Sequence, residues 1–474
     1  MSDIAFPWVE AAILLPLLGA IWVRRLRDPR EARRHSLIAC GLTLVCAFGA
    51  WLEISLADDV RATHRGWDLL FEIDAMSAPL LVLASLLYLL TVLSTLSTTA
   101  RRRSFSSILV GEAVVLATFS SIQPWLLVVL LAGETLVPLA ELISLRKPLR
   151  VYLFHMGLFV ALLVAGKLMV DLDDSSAVSL IGMTLITVAV LVRSGIVPLH
   201  CWTTDLFEHA SFGTALLFVA PMVGAYAAIR LVFGIAPEWL LHGIAVVSLI
   251  TAVYSAGMAV VQREARRFFC YLFLSHSSLV FVGLAMATPL GVTAALCAWL
   301  SVGLTMGGFG LTLRAIETRY GTLSLDKFHG LFAHTPRLAA LFLLTGLASV
   351  GFPGTVGFVG AELLVDAAAQ VYPMAEIAVV IAAAINGLSV LHAYFRIFTG
   401  THHVSSINLR SRRRERLAIV ILSALILGGG MYPQPGVASR YHVATELVHD
   451  RDRRLEAEAA PRVAKAGPST VERD

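Results

Sequence analysis

The chain has 474 residues, of which 57% are hydrophobic and 15% are charged, and its formal net charge at pH 7 is +4. Soluble domains carry about 45–50% apolar and about 25% charged residues, so this composition excludes an ordinary water-soluble enzyme. It also excludes a nucleic-acid-binding protein, because the net charge is small and the arginines occur in short clusters instead of a continuous basic face.

The apolar residues form segments long enough to cross a bilayer, which takes about 20 residues per helix. Lipid offers backbone groups no hydrogen-bond partners, so each spanning segment must be a helix. We therefore predict an all-α polytopic membrane protein of about 14 transmembrane helices. The predicted spans lie near residues 6–23, 36–56, 78–97, 106–121, 124–145, 151–171, 177–197, 211–233, 239–261, 268–287, 289–313, 337–370, 374–398 and 416–432.

Arginine clusters alternate with acidic or neutral loops along the chain. They follow the first, third, fifth, ninth, eleventh and thirteenth spans, whereas the loops near 58–59, 171–174 and 236–239 carry few cations. Short basic loops stay on the cytoplasmic side of a membrane. This pattern predicts a multi-pass protein of the bacterial inner (plasma) membrane whose N-terminus lies outside.

Two of the spans are interrupted. The segment 193–210 contains Pro198, which removes a backbone donor inside an apolar helix, and the segment 346–362 contains Pro353 among several glycines. Broken helices at membrane depth occur where the freed groups meet protein or water, and in transporters they mark the ion or substrate path. A packing kink without a transport role is the alternative, but it is less favoured for two breaks in separate parts of the chain.

Ionisable side chains within spans are costly to insert and are therefore candidates for function. Glu134 lies near the middle of the fifth span, where burial favours the neutral carboxyl and suits it to carry a proton. A structural hydrogen bond to a neighbouring helix is the alternative. Glu141 is two turns further along the same face, and Arg193 adds a fixed charge before the first break. Lys167, near the outer end of the sixth span, either carries a proton or extends its ammonium group to the interface.

Four histidines lie in or beside the spans: His200 and His209 flank the first break, and His276 and His392 belong to the tenth and thirteenth spans. Imidazole is the natural proton shuttle near pH 7, although a hydrogen-bonded structural histidine is the alternative at each position. Glu362, beside the second break, is expected to gate an outer exit. The sequence contains no nucleophile–base pair, phosphate loop or metal-ligand set, so we expect no cofactor and no catalytic centre in this chain.

Several segments resemble the antiporter-like membrane subunits of respiratory complex I, related hydrogenases and Mrp-type cation antiporters. The matching segments are FEIDAMSAP (71–79), the span of Glu134, RSGIVPLHCWTTDLFEHASFGTALLFVAPMVGAYAAIRL (193–231), REARRFFCYLFLSHSSLVFVGLA (263–285) and GLASVGFPGTVGFVGAELL (346–364), followed by INGLSVLHAYFRIF. The resemblance spans about residues 70–400, and the PGTxGFVG turn is similar to the chain M type.

The resemblance implies fourteen helices, with two inverted five-helix repeats that each contain one broken helix. It divides the chain into N-terminal helices (1–105), a first repeat (106–233), a second repeat (239–400), a basic loop with the last helix (401–432) and a polar tail (433–474). From its mixed charge we expect the tail beyond about 442 to form a short amphipathic helix followed by disorder.

In the family, a glutamate of the fifth span pairs with a lysine of the broken seventh span. Glu134 matches the first role, but Arg193 stands at the position of the lysine. The next charged position of the family falls near Met222, and the central lysine of the eleventh span falls near Gly307. The relay is therefore altered in its cytoplasmic half and lacks its cations along the central axis.

These features predict a proton-conducting membrane subunit that works with other membrane and peripheral subunits in the lipid bilayer, with sodium as an alternative ion. The expected path takes a proton from cytoplasmic water near His200 to Glu134, and then through His276 and His392 to Glu362. Three alternatives stay open. They are the ion-conducting subunit of a two-component inorganic-carbon uptake system with a soluble zinc partner, a stand-alone cation/proton antiporter, and a non-conducting scaffold subunit. Any NADH:quinone oxidoreductase activity would belong to the complex.

Overall fold

The computed structural model describes residues 6–56, 64–66, 70–95, 102–172, 176–400 and 412–465. Its α-helices are α1 (Trp8–Arg25), α2 (Pro29–Leu56), α3 (Ala78–Ser94), α4 (Arg102–Phe119), α5 (Pro124–Glu134), α6 (Leu136–Leu145), α7 (Arg150–Leu172), α8 (Ser176–Arg193), α9 (Cys201–His209), α10 (Phe212–Val219), α11 (Val223–Ala227), α12 (Glu238–Val261), α13 (Ala265–Ala285), α14 (Pro289–Tyr320), α15 (Pro336–Val350), α16 (Val356–Val371), α17 (Pro373–Phe398), α18 (Arg413–Met431) and α19 (Gln434–Lys465). A π-helical turn, Ala228–Phe233, follows α11, and a 3-10 turn, Leu331–Ala333, precedes α15. Strands β1 (His64–Gly66) and β2 (Phe71–Ile73) pair antiparallel.

The predicted fold class is confirmed: the chain is an all-α polytopic membrane protein. Within the described ranges, 8 helices are long and apolar enough to cross a membrane, or up to 9 if the bent pair Arg413–Met431 and Gln434–Ala457 is one span. Four shorter apolar helices lie at further predicted spans: α3, most of α4, most of α8 and α15. The count of fourteen and the inverted repeats stay predictions. Residues 58–59, 173–174, 401–411 and 466–474 lie outside the described ranges.

Both predicted breaks are present. Pro198 lies between the end of α8 and the start of α9, and Pro353 lies between α15 and α16. At the second break, Gly351 and Gly354 have φ of 94° and 82°, in the left-handed region that favours glycine.

The core of the bundle lies along the segment 212–233 and α13, whose apolar side chains are almost all buried. By contrast, α7, α12 and α17 bury only part of their apolar surface and expose large side chains such as Val246 and Ile377. An exposed apolar side chain on a spanning helix contacts lipid at no cost, so these helices form the perimeter.

The C-terminal helix is longer than the short amphipathic helix predicted from the sequence: α19 has 32 residues. Two buried arginines attach it to the bundle by hydrogen bonds to backbone carbonyls. Arg440 Nη1 donates to the Met76 oxygen at 3.5 Å, and Arg451 Nη1 donates to the oxygens of Phe233 at 3.3 Å and Ala236 at 3.1 Å. The prediction was wrong because mean polarity does not reveal individual cations that cap carbonyl groups of other segments.

Candidate functional site

Glu134 and Arg193 form a buried ion pair in the first half of the chain. Arg193 Nη2 lies 3.2 Å from Glu134 Oε2, and each side chain is only 3% exposed. The Thr118 hydroxyl donates to Glu134 Oε1 at 3.0 Å. Arg193 also donates to the Phe218 oxygen at 3.2 Å, and its guanidinium carbon lies 3.9 Å from the Phe218 ring centroid. Two charges removed from water are tolerated only with such additional partners.

The helix that carries Glu134 is interrupted at this residue. Pro138 lacks the N–H that would bond the Glu134 carbonyl, and α5 accordingly ends at Glu134 while α6 begins at Leu136. The Tyr152 hydroxyl donates to the Thr135 oxygen at 2.8 Å and satisfies a carbonyl at the break. The local sequence thus places the carboxylate at an irregular point of its helix.

The eighth predicted span, 211–233, was expected to be continuous but is interrupted in the same way. Pro221 separates α10 from α11, and Met222 between them has a left-handed φ of 54°. Trp299 Nε1 donates to the freed Pro221 oxygen at 3.0 Å. Together with the break after Arg193, irregular backbone therefore surrounds the ion pair on three neighbouring segments.

A small cavity of about 20 Å³ adjoins the carboxylate of Glu134. Its lining includes Tyr88, Pro138 and Thr214. One water molecule needs a volume of about 10–15 Å³, so the cavity can hold one. The Thr214 hydroxyl donates to a carboxylate oxygen of Glu141, whose other oxygen accepts from the Ser211 N–H at 2.8 Å. Glu141, Thr214 and the cavity thus lead from the predicted cytoplasmic end of α6 to Glu134.

A second cavity of about 20 Å³ adjoins Arg193 and extends to Ser277 of α13. His276 is the preceding residue and is 5% exposed, and its Nε2 has no hydrogen-bond partner among the described residues. The lateral proton path predicted through His276 would therefore start beside Arg193. Within the described ranges, however, no chain of hydrogen bonds connects Arg193 to this histidine.

The remaining predicted site residues lie apart from the pair. The ring centroid of His200 lies 5.6 Å from that of Tyr254 and 5.9 Å from that of Tyr271, so it packs in an aromatic group. His392 Nε2 accepts a hydrogen bond from Arg396 Nε at 3.1 Å. Lys167 pairs with Asp171 one turn away.

Glu362 has an exposed side chain on α16. The structure thus brings together only Glu134 and Arg193 of the predicted ionisable residues. The roles proposed for His200, His392, Lys167 and Glu362 stay predictions, as do the consequences of the breaks at Pro198 and Pro353.

Three ionisable residues within or beside the apolar segments were missed in the sequence: Glu112, which is buried, and Arg230 and Arg314, which are partly buried. Glu112 of α4 is fully buried and accepts a hydrogen bond from Cys40 Sγ at 3.0 Å. Arg230 Nη2 lies 2.8 Å from Asp74 Oδ2. Arg314 of α14 donates to the Thr95 hydroxyl at 2.8 Å. Each was visible as a single charge within or beside an apolar run.

Asp74 lies before α3, outside the spanning segments, and remains ionised. Burial acts to raise the pKa of its carboxyl, but the charge of Arg230 and the hydrogen bond from the Ser77 N–H act against it, and the pKa is held below its usual value. The Arg230–Asp74 contact is therefore an ion pair between two charged groups.

Comparison with known proteins agrees with this architecture. The family described as "NADH:quinone oxidoreductase/Mrp antiporter, TM" matches residues 151–386. The chain is a divergent member of the antiporter-like membrane subunit family. It is 28% identical to NAD(P)H-quinone oxidoreductase chain 4 1 of Synechococcus sp. (strain JA-3-3Ab), over 94% of each chain. It is 27% identical to NAD(P)H-quinone oxidoreductase chain 4 3 of Trichormus variabilis, over 99% of this chain and 96% of the relative.

Solved structures show the same fold at lower identity. A chain of the Mrp complex from Dietzia sp. DQ12-45-1b matches with a TM-score of 0.84 and 18% identity, over 94% of this chain and 98% of that one. A chain of respiratory complex I from Thermus thermophilus with bound NADH matches with a TM-score of 0.81 and 20% identity, over 94% and 99%. The predicted family resemblance is confirmed.

At two positions where the resemblance predicts a charged side chain, this antiporter-like subunit has apolar packing instead. Met222 is buried at the break between α10 and α11. A Cβ added at Gly307 would lie 2.5 Å from Leu87 Cδ2, so Leu87 occupies the space that a lysine side chain would need. The charged Arg314 lies two helical turns further along α14.

Proposed function

We propose that the chain is a proton-conducting membrane subunit of a larger energy-converting complex. The observation that carries the proposal is the Glu134–Arg193 ion pair, buried among three interrupted helices with a water-sized cavity on each side. Relatives are named as chains of NAD(P)H-quinone oxidoreductases, and similar structures are chains of multi-subunit complexes, which supports partner subunits here. The alternating arginine clusters support the outside location of the N-terminus.

In the proposed mechanism, Glu134 accepts a proton and gives it up as its contact with Arg193 changes. Arg193 favours the ionised carboxylate by Coulomb attraction, whereas burial favours the neutral acid. When the two side chains separate, the carboxylate takes up a proton; when they approach again, the proton is released. Phe218 holds the guanidinium in place through its carbonyl and its ring, so a small displacement of Glu134 is sufficient for the switch.

We infer that protons reach Glu134 from the side of Glu141. Thr214 contacts both Glu141 and the cavity beside Glu134, so it can orient a water molecule between the two carboxylates. This replaces His200 as the first residue of the path, because His200 packs among aromatic rings. His276, next to the second cavity, stays the sequence-predicted candidate for lateral transfer toward His392, which is one of two directions open to a proton that leaves Glu134.

One observation favours a second candidate, a scaffold subunit that has lost transport. Leu87 fills the space beside Gly307, and the central part of α14 has no cation there. A scaffold would keep the Glu134–Arg193 pair only as a structural contact, and its removal would not alter proton flux.

The test is proton flux in vesicles that contain the whole complex with Glu134→Gln in this chain. The isosteric amide keeps the side-chain volume but cannot carry a proton, so we expect coupled transport to be lost while the complex remains assembled. Glu238→Gln, at an exposed carboxylate at the start of α12, is the matched control and should retain flux. Unchanged flux in Glu134→Gln would refute the proposal in favour of the scaffold.

A further inference from the structure

A polar cavity of about 460 Å³ lies on the side of the bundle opposite the arginine clusters. It is formed where α5 begins and where α7 and the π-helical turn end, and α19 covers it. By the predicted orientation this side faces outward. Its charged lining residues are Asp74, Lys167, Arg230, Glu446, Asp450, Arg451 and Arg454. A polar cavity of this size has room for many water molecules, and we call it the vestibule.

The inner wall of this vestibule is the Arg230–Asp74 ion pair. Their side chains are 12% and 25% exposed, so the pair lies between the buried interior and the vestibule. Arg230 belongs to the π-helical turn, a rare geometry that occurs often at functional sites. Its guanidinium carbon lies 5.0 Å from the ring centroid of Tyr226, which is fully buried.

Tyr226 connects the Arg230–Asp74 pair to the end of α4. The same end of α4 contacts Glu134. The Tyr226 hydroxyl donates a shared hydrogen bond to two backbone carbonyls, at 3.1 Å from the Phe119 oxygen and 2.9 Å from the Ser121 oxygen. Thr118, the residue before Phe119, donates to Glu134 Oε1 at 3.0 Å. Polar groups thus follow one another from Glu134 along the end of α4 to Tyr226, Arg230 and Asp74.

The route toward the second half of the chain lacks a comparable series within the described residues. His276 Nε2 has no hydrogen-bond partner there, Leu87 packs against Gly307, and Glu362 is exposed on α16. Polar groups therefore continue from Glu134 as far as the vestibule, whereas toward α14 they end at the cavity beside Arg193 and Ser277.

We propose that this vestibule is the outer mouth of the Glu134 path. A proton released from Glu134 leaves through the first half of the chain, past Tyr226 and the Arg230–Asp74 pair, instead of crossing to Glu362. Water carries the proton between these groups, and each group ends the step in its starting protonation state. The inference rests on the proposed function, because it assumes that Glu134 carries the proton.

The experiment places a cysteine in the vestibule of the full chain, within its complex in right-side-out vesicles. Ile235→Cys lines the cavity, Trp239→Cys is exposed on the same side but outside the lining, and Val365→Cys lies one turn from Glu362 on α16. Each variant is treated from outside with a positively charged, membrane-impermeant methanethiosulfonate reagent, and proton flux is recorded before and after. The unsubstituted chain controls for the native cysteines.

We expect the reagent to remove most of the flux in Ile235→Cys and to leave Trp239→Cys and Val365→Cys unchanged. Recovery of the flux with a thiol reductant shows that the block is not loss of the fold. A block at Val365→Cys with none at Ile235→Cys would overturn the proposal in favour of an exit at Glu362.

If neither position blocks flux while Glu134→Gln abolishes it, the vestibule proposal is wrong and the proposed function stands. If Glu134→Gln leaves flux unchanged, the proposed function fails and the exit that begins at Glu134 fails with it.

Discussion

Arg193 Nη2 contacts Glu134 Oε2 at 3.2 Å, between two side chains that are each 3% exposed and come from different interrupted helices. A pair of this kind is costly to desolvate, and its members depend on each other: the loss of one leaves an uncompensated buried charge. Neutralising one member therefore changes the contact between the two side chains, and this is the property that a proton carrier requires.

This dependence predicts the result of a double-mutant cycle. At alkaline pH, where Glu134 stays ionised, Arg193→Met should lower the free energy of unfolding by about 3 kcal/mol or more, because the carboxylate then lacks its cation. Arg193→Met combined with Glu134→Gln should recover much of this loss, since no unpaired charge remains. Thermal unfolding of the detergent-solubilised protein measures both. Additive destabilisation in the double variant would show that the two side chains are not coupled.

The proposed approach to Glu134 from the predicted cytoplasmic side uses the hydroxyl of Thr214. Thr214→Val keeps the side-chain volume but removes the hydrogen bond to Glu141 and the polar wall of the cavity. We expect proton flux to fall by about tenfold, which corresponds to about 1.4 kcal/mol, close to the upper value for one hydrogen bond. The control is Thr184→Val, at an exposed hydroxyl of α8 that donates to the Leu180 oxygen of its own helix. Equal flux in both variants would exclude this approach.

The central part of α14 is expected to reject the cation that the family places there. Gly307→Lys would collide with Leu87 and place an ammonium group in apolar surroundings, so we expect lower thermal stability and no gain in proton flux. Gly307→Lys with Leu87→Ala provides the space and should be more stable than Gly307→Lys alone. Increased flux in the single variant would mean that the axis can still conduct.

The attachment of α19 is expected to depend on Arg451. Arg451→Met leaves the oxygens of Phe233 and Ala236 without this donor, which should cost about 1–3 kcal/mol. We expect faster proteolysis of α19 when a protease is added to the outer side. Arg453→Met is the matched control, because Arg453 is half exposed and its ion pair within the described ranges is with Asp450 on the same helix. Similar proteolysis of both variants would contradict the role of Arg451.

Much of the architecture could be predicted without the structure. The spans follow from hydropathy, which is a property of each segment by itself, and Pro198 and Pro353 interrupt a helix wherever they occur in one. Glu134 and Arg193 could also be identified, because a charge within an apolar span is conspicuous in any arrangement of the helices. The same signals mark Pro138 and Pro221, which interrupt the neighbouring spans.

Which charges meet was decided by the tertiary structure. Arg230 and Asp74 are 156 positions apart, and Thr214 and Glu141 are 73 apart, so their contacts depend on how the helices are rotated and shifted against each other. Hydrophobic periodicity gives no rotation for a helix that is apolar on all sides, as the central segments here are. The sequence by itself determined a polytopic bundle with a buried acid and a buried base; the packing of interrupted helices determined that the two pair, and it determined which polar groups lead away from them.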